Sequence, residues 1–172
     1  KPVQTKKIDD AINMFEYKKS LLDKYQSFEG KRETIGLAMG LNMFELLPFW
    51  YAFFKELGFG LKISPKSTRQ LYTLGQHTIP SDTVCYPAKL LHGHIQALLD
   101  DKVEHIFYPC MTYNIDENLG DNHYNCPVVA YYPEVIRSNV TELKNINFMC
   151  DYFGLHRPQN FPTKIYESLS KS

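Results

Sequence analysis

The sequence predicts an α/β fold: a parallel sheet with helices on both faces (Rossmann-like, doubly wound), preceded by an N-terminal helix. Three observations carry that reading. Short apolar runs fit for buried strands lie at residues 34–39, 61–63, 103–108 and 145–149. Stretches with apolar residues at helical spacing separate them. Strands that alternate with helices in this way form a parallel sheet wrapped on both sides.

In chain order, Ile8, Ala11, Ile12, Phe15, Leu22 and Tyr25 recur at helical spacing, and Gly30 ends that segment. Residues 1–30 therefore read as a linker helix, 31–156 as the α/β domain and 157–172 as a polar C-terminal tail. The segment 44–57 reads as a helix with Gly58 as its stop, and its aromatic stripe of Phe49, Trp50, Phe53 and Phe54 as core. Ser67 is placed to cap a helix running to Leu74. Pro87 suits the first turn of a helix running to Asp101. Residues 111–125 are polar and read as a long loop, a kind that in compact domains is usually functional or disordered. Residues 128–136 read as a helical or mixed segment interrupted by Pro133.

At 172 residues the chain is about one domain, large enough to bury a core. A formal net charge of zero gives no electrostatic case for nucleic acid. The longest apolar stretch, residues 46–54, is too short to span a bilayer. No basic start followed by an apolar run marks a signal peptide. The cysteines are sparser than those of a small disulfide scaffold, so a reduced, cytoplasmic setting is expected and the sequon Asn139-Val140-Thr141 reads as a chance match. The chain begins mid-pattern without an initiator methionine and reads as a piece of a longer protein.

Four cysteines are the chemically distinctive feature, and three have a proline within two residues: Cys85-Tyr86-Pro87, Pro109-Cys110 and Cys126-Pro127, with Cys150 further on. Proline stiffens a loop and removes a donor, which helps fix a ligand's direction. Cys110 and Cys150 are expected to follow strands, Cys85 and Cys126 to open helices. In a parallel sheet all four positions belong to the carboxyl edge, where ligands bind. A thiolate is favoured at a helix amino end. Thiolates gathered from loops are what iron–sulfur clusters and zinc require. Three readings stay open on the residues alone: an iron–sulfur site, a zinc site, or four buried small hydrophobes. Tyr86, Tyr108, Tyr124 and Phe107 would wall such a site. His123, in the loop near Cys126, is the alternative ligand. In His92-Gly93-His94 the two histidines do not share a helical face, so packing or capping is expected of at least one. Ser81 and Asp82 read as capping a turn, and Asn42, Glu45 and Lys89 as ordinary helix residues. No dinucleotide fingerprint, P-loop or nucleophile elbow is present.

The runs Leu41-Asn42-Met43-Phe44-Glu45, Leu47-Pro48-Phe49-Trp50, Pro80-Ser81-Asp82-Thr83-Val84-Cys85-Tyr86-Pro87-Ala88-Lys89, His92-Gly93-His94, Phe107-Tyr108-Pro109-Cys110 and Asp121-Asn122-His123-Tyr124-Asn125-Cys126-Pro127 carry a resemblance over about residues 34 to 155. Together they resemble the domain of unknown function found in large proteins related to activators of 2-hydroxyacyl-CoA dehydratase. That domain is similar in turn to the dehydratase subunits, which carry a [4Fe-4S] cluster on cysteines. The resemblance implies an electron-acceptor domain fed at low potential by ATP-binding activase modules of the same longer chain, with a dehydratase-like protein as possible partner. It implies Cys85, Cys110 and Cys126 as ligands; Cys150 and His123 remain the candidates for a fourth. It departs from the family at Met39-Gly40, where a proline and a basic residue are usual, so a ligand contact from that basic residue does not carry over. The alternative is a non-catalytic docking scaffold with packed or zinc-binding cysteines. Neither reading expects activity from this chain alone.

Overall fold

The computed structural model describes residues 12–170. Helix α1, Met14–Leu22, is started by Asn13, whose side-chain oxygen accepts from the amides of Phe15 and Glu16 at 3.1 and 3.3 Å. It is shorter than the segment 8–26 read from apolar spacing; residues 8–11 lie outside the described residues, and the helix ends at Leu22. It buries none of its residues, and Lys18 ties it to the domain through a 2.7 Å ion pair with Glu45.

Four strands, β1 Thr34–Leu37, β2 Gly60–Ile63, β3 His105–Phe107 and β4 Asn147–Met149, form one parallel sheet in the order β2-β1-β3-β4. Helix α2, Met43–Glu56, joins β1 to β2. Helices α3, Arg69–Gly75, and α4, Tyr86–Asp100, join β2 to β3, and α5, Pro127–Asn139, joins β3 to β4. Right-handed crossovers from a strand order of this kind place α2 on one face and α4 and α5 on the other. The α/β fold with an N-terminal helix is therefore as the sequence predicted.

The α2 face is aromatic. Trp50 and Phe54 are fully buried, and Phe107 of β3 lies 4.6 and 5.1 Å from their ring centroids. Phe49 is only partly covered, so the stripe is core on one side and surface on the other. On the opposite face α3 and α4 cross closely. Gly93 permits this: a Cβ there would lie 1.9 Å from the Leu71 carbonyl oxygen.

Three local expectations are corrected. Thr68, not Ser67, caps α3, accepting from Leu71 N at 3.1 Å, while Ser67 Oγ lies 2.9 Å from His94 Nε2. Pro133 does not interrupt α5; it sits buried inside a continuous helix, where packing outweighs the lost hydrogen bond. The polar stretch after Arg157 folds into helix α6, Phe161–Leu169, whose Ile165 is buried and whose Phe161 packs 5.9 Å from Phe49.

Candidate functional site

The cysteines reach the carboxyl edge by two routes. Cys85 is the N-cap of α4 and Cys126 the N-cap of α5, both with extended backbone ψ of 151° and 141°, both exposed, and neither thiol capping its helix. Pro87 and Pro127 stand in the first turns, where a missing amide hydrogen costs nothing. Cys110 and Cys150 follow β3 and β4 and are buried.

The β3–β4 register runs on past both strands. Phe107 pairs with Met149, and a parallel bridge joins Cys110 to Tyr152. Tyr108 therefore stands opposite Cys150, and Cys110 lies two residues further along the same side of the ladder. That is the side of Ile106 and Gly36, which faces Leu98 of α4. Cys110 and Cys150 thus lie at the carboxyl edge on one face of the sheet, and Cys85 and Cys126 stand at the starts of α4 and α5, the helices assigned to that face. A two-residue diagonal separates Cα atoms by about 7–8 Å. This exceeds the usual reach of a disulfide, and all four thiols are free.

Burial sets the chemistry of the inner pair. It pushes the Cys110 thiol up to about 12, with Cys150 and Glu134 adding to the effect. It also raises Cys150, against a lowering by Arg137 of α5. Tyr132 of α5 is pushed up to about 12 by burial and by the neighbouring Cys85 thiol. Burial raises the Tyr108 phenol as well, with Cys110 and Tyr132 as further causes. Cys85 and Tyr132, Tyr132 and Tyr108, Tyr108 and Cys110, and Cys110 and Cys150 therefore influence one another electrostatically. Among the described residues no three His, Cys, Asp or Glu side chains lie close enough to share a metal ion.

Tyr108 is the wall the sequence expected, and Phe107 packs on the other face. Tyr86 and Tyr124 are exposed. His123 Nε2 lies 3.3 Å from Asp116, inside the 111–125 loop. Both histidines of the α4 pair are buried and satisfied. His92 sits between Thr78 Oγ1 at 2.7 Å and the Tyr132 hydroxyl at 3.0 Å, His94 between Ser64 Oγ at 2.8 Å and Ser67 Oγ at 2.9 Å. Burial lowers each to about 4, so both are neutral at pH 7. Ser81 Oγ accepts from Thr83 N at 3.2 Å, and Lys89 donates to the Asp82 carbonyl at 2.7 Å, so these residues brace the turn before Cys85.

The family described as the CoA enzyme activase uncharacterised domain matches residues 34–172, which take in every strand, the four cysteines and α6. The chain belongs to this family. No curated protein and no solved structure matches it. The match begins at β1, so α1 precedes the activase-related domain. Among the described residues of the domain and α1 no helix is long and apolar enough to cross a membrane.

Sequence reasoning named the cysteines, read Asn42 as an ordinary helix residue and passed over Asn114 and Asn122. These line a cavity of about 650 Å³ beside the cysteine edge, between the β1–α2 loop and the 111–125 loop. Asn42 Nδ2 is buried there without a partner among the described residues.

Proposed function

We propose that this activase-related domain is an electron acceptor, holding a [4Fe-4S] cluster and receiving low-potential electrons driven by ATP hydrolysis in a separate module. The observation that supports this best is the placement of four free thiols at the carboxyl ends of β3 and β4 and at the amino ends of α4 and α5. The donor chemistry fits: soft sulfur ligands beside an apolar, tyrosine-walled interior suit such a cluster. Cys85, Cys110 and Cys126 would hold it, with Cys150 or His123 as the fourth ligand. A bound cluster would supply a one-electron acceptor.

The protein's own residues have defined tasks in this reading. The first turns of α4 and α5 present their amides and dipoles to the Cys85 and Cys126 side chains. Tyr108 and Tyr132 limit water at the inner thiols. Cys110 and Cys150 must each lose a proton that burial holds in place, so ligation has to draw the thiols together and release protons. ATP-binding modules of the same longer chain are the electron source, and a dehydratase-like protein is the recipient or partner. The setting is cytoplasmic.

A second reading has its own support. Burial and raised thiol pKa values suit Cys110 and Cys150 as packed residues, which favours a docking scaffold with packed or zinc-binding cysteines. Metal analysis separates the two. Protein purified without oxygen and reconstituted with iron and sulfide should retain both after desalting. Retention of zinc alone, or of no metal, would decide for the scaffold.

A further inference from the structure

The strand order makes a crevice whose lining holds none of the four cysteines and shares only His123 with the candidate ligands of the cluster reading. From β1 the chain passes through α2 to β2 on one side; from β3 it passes through α5 to β4 on the other. Adjacent parallel strands whose connections diverge leave an opening at their carboxyl ends, the place where such sheets bind ligands. The cavity of about 650 Å³ lies there, with the β1–α2 loop on one wall and the 111–125 loop on the other.

Both walls are shaped. Leu41 holds φ at 51°, a left-handed conformation that costs a non-glycine residue energy and turns the chain sharply into α2. On the facing wall Asn114 and Asn125 pair amide to amide, Asn114 Nδ2 donating at 2.8 Å, and Asn125 Nδ2 also donates to the Met111 carbonyl at 2.8 Å. Asn42 Nδ2 is buried and finds no acceptor among the described residues. A buried donor without a partner is costly, and a ligand oxygen would relieve that cost.

Charge narrows the ligand. Among the described residues the lining holds one lysine and no arginine: Lys18 is taken up by Glu45 at 2.7 Å, and His123 faces Asp116 at 3.3 Å. Glu117 adds a carboxylate for which the described residues of the lining offer no further lysine or arginine. Such a cavity disfavours anions. Carboxamide side chains donate and accept at once, so they match groups that do the same. Met111 and Leu46 supply apolar floor for a carbon chain.

We propose that this crevice binds a small uncharged molecule carrying carboxamide or hydroxyl groups, one of whose oxygens accepts from Asn42 Nδ2. The site stands on the cavity, its charge and the orphaned amide, and does not depend on the cluster reading.

The test is titration of the isotope-labelled chain with N-acetylglycinamide and with its acid, N-acetylglycine, followed by nuclear magnetic resonance. The amide should produce saturable shifts at residues 41–45 and 122–125 and at the Asn42 side chain. The acid should bind about tenfold more weakly or worse, a difference of about 1.4 kcal/mol. Asn42→Leu should abolish the shifts. Asn114→Ala, at the exposed rim, should weaken them whether or not the Asn42 variant folds. Glu117→Gln should narrow the gap between amide and acid. Absence of saturable shifts at these residues, equal binding of the acid, or full affinity in the two asparagine variants would overturn the proposal.

Discussion

Cys110 and Tyr152 form a parallel bridge that carries the β3–β4 ladder beyond both strands: Cys110 N donates to the Asp151 carbonyl at 3.1 Å, and Phe153 N donates to the Cys110 carbonyl at 3.1 Å. The inner thiol is therefore fixed by sheet hydrogen bonds. Cys85 and Cys126 hang from helix starts whose side chains make no capping bond. Two thiols are thus buried at the ladder, and two are exposed at helix starts.

That difference shows first in thiol reactivity. Cys85 and Cys126 should react with an aromatic disulfide reagent or iodoacetamide in the native protein, because both are exposed. Cys110 should stay unmodified at pH 8, since a thiol pushed up to about 12 carries almost no thiolate there. Mass mapping after a short pulse checks this. Modification of Cys110 as fast as in urea would show that the interior opens freely.

Stability should separate the cysteines in the same way. Replacing exposed Cys85 or Cys126 with Ala should change unfolding free energy by no more than about 0.5 kcal/mol, whereas Cys110→Ala should cost about 1–2 kcal/mol. Each of the three variants should nonetheless lose bound iron after reconstitution. Urea titration gives the first result and iron analysis the second. Unchanged iron in any one variant would remove that residue from the ligand set.

Most of the fold was legible because its buried strands are short apolar runs between turn residues, as at residues 34–39 and 61–63. The cysteine edge was legible because a proline within two residues of Cys85, Cys110 and Cys126 marks strand ends and helix starts. Three features escaped for physical reasons. Pro133 looks like a helix breaker locally, but its burial in α5 is a tertiary effect. Phe161, Ile165 and Leu169 give α6 a one-sided apolar stripe that the polar composition around it hides. The switch-point cavity depends on strand order, which long-range pairing decides and no local pattern announces.

Acid should destabilise the fold through its two buried histidines. Both titrate at about 4 when folded, against 6.5 as ordinary imidazoles, so the unfolded chain takes up protons first as pH falls. Their contribution to stability is complete above pH 6.5 and is lost progressively down to pH 4, on the order of 3 kcal/mol for each histidine. Urea unfolding of the parent chain and of His94→Gln at a series of pH values checks this. The variant should show the shallower loss; identical slopes would contradict the assignment.

The α3–α4 contact should not tolerate a methyl group. Gly93→Ala would bring a Cβ within 1.9 Å of the Leu71 carbonyl oxygen, and backbone cannot yield as a flexible side chain does. A loss of about 1–3 kcal/mol is expected. Since α4 carries Cys85 at its start, iron retention should fall with it. Thermal unfolding with parallel iron analysis reads both.

The most direct measurement is electron paramagnetic resonance of the anaerobically reconstituted chain after one-electron reduction by a strong reductant. An acceptor domain should bleach in the visible spectrum and yield an iron–sulfur signal, with no ATP hydrolysis by the chain alone. A diamagnetic, colourless protein that retains no iron or sulfide would contradict the acceptor role.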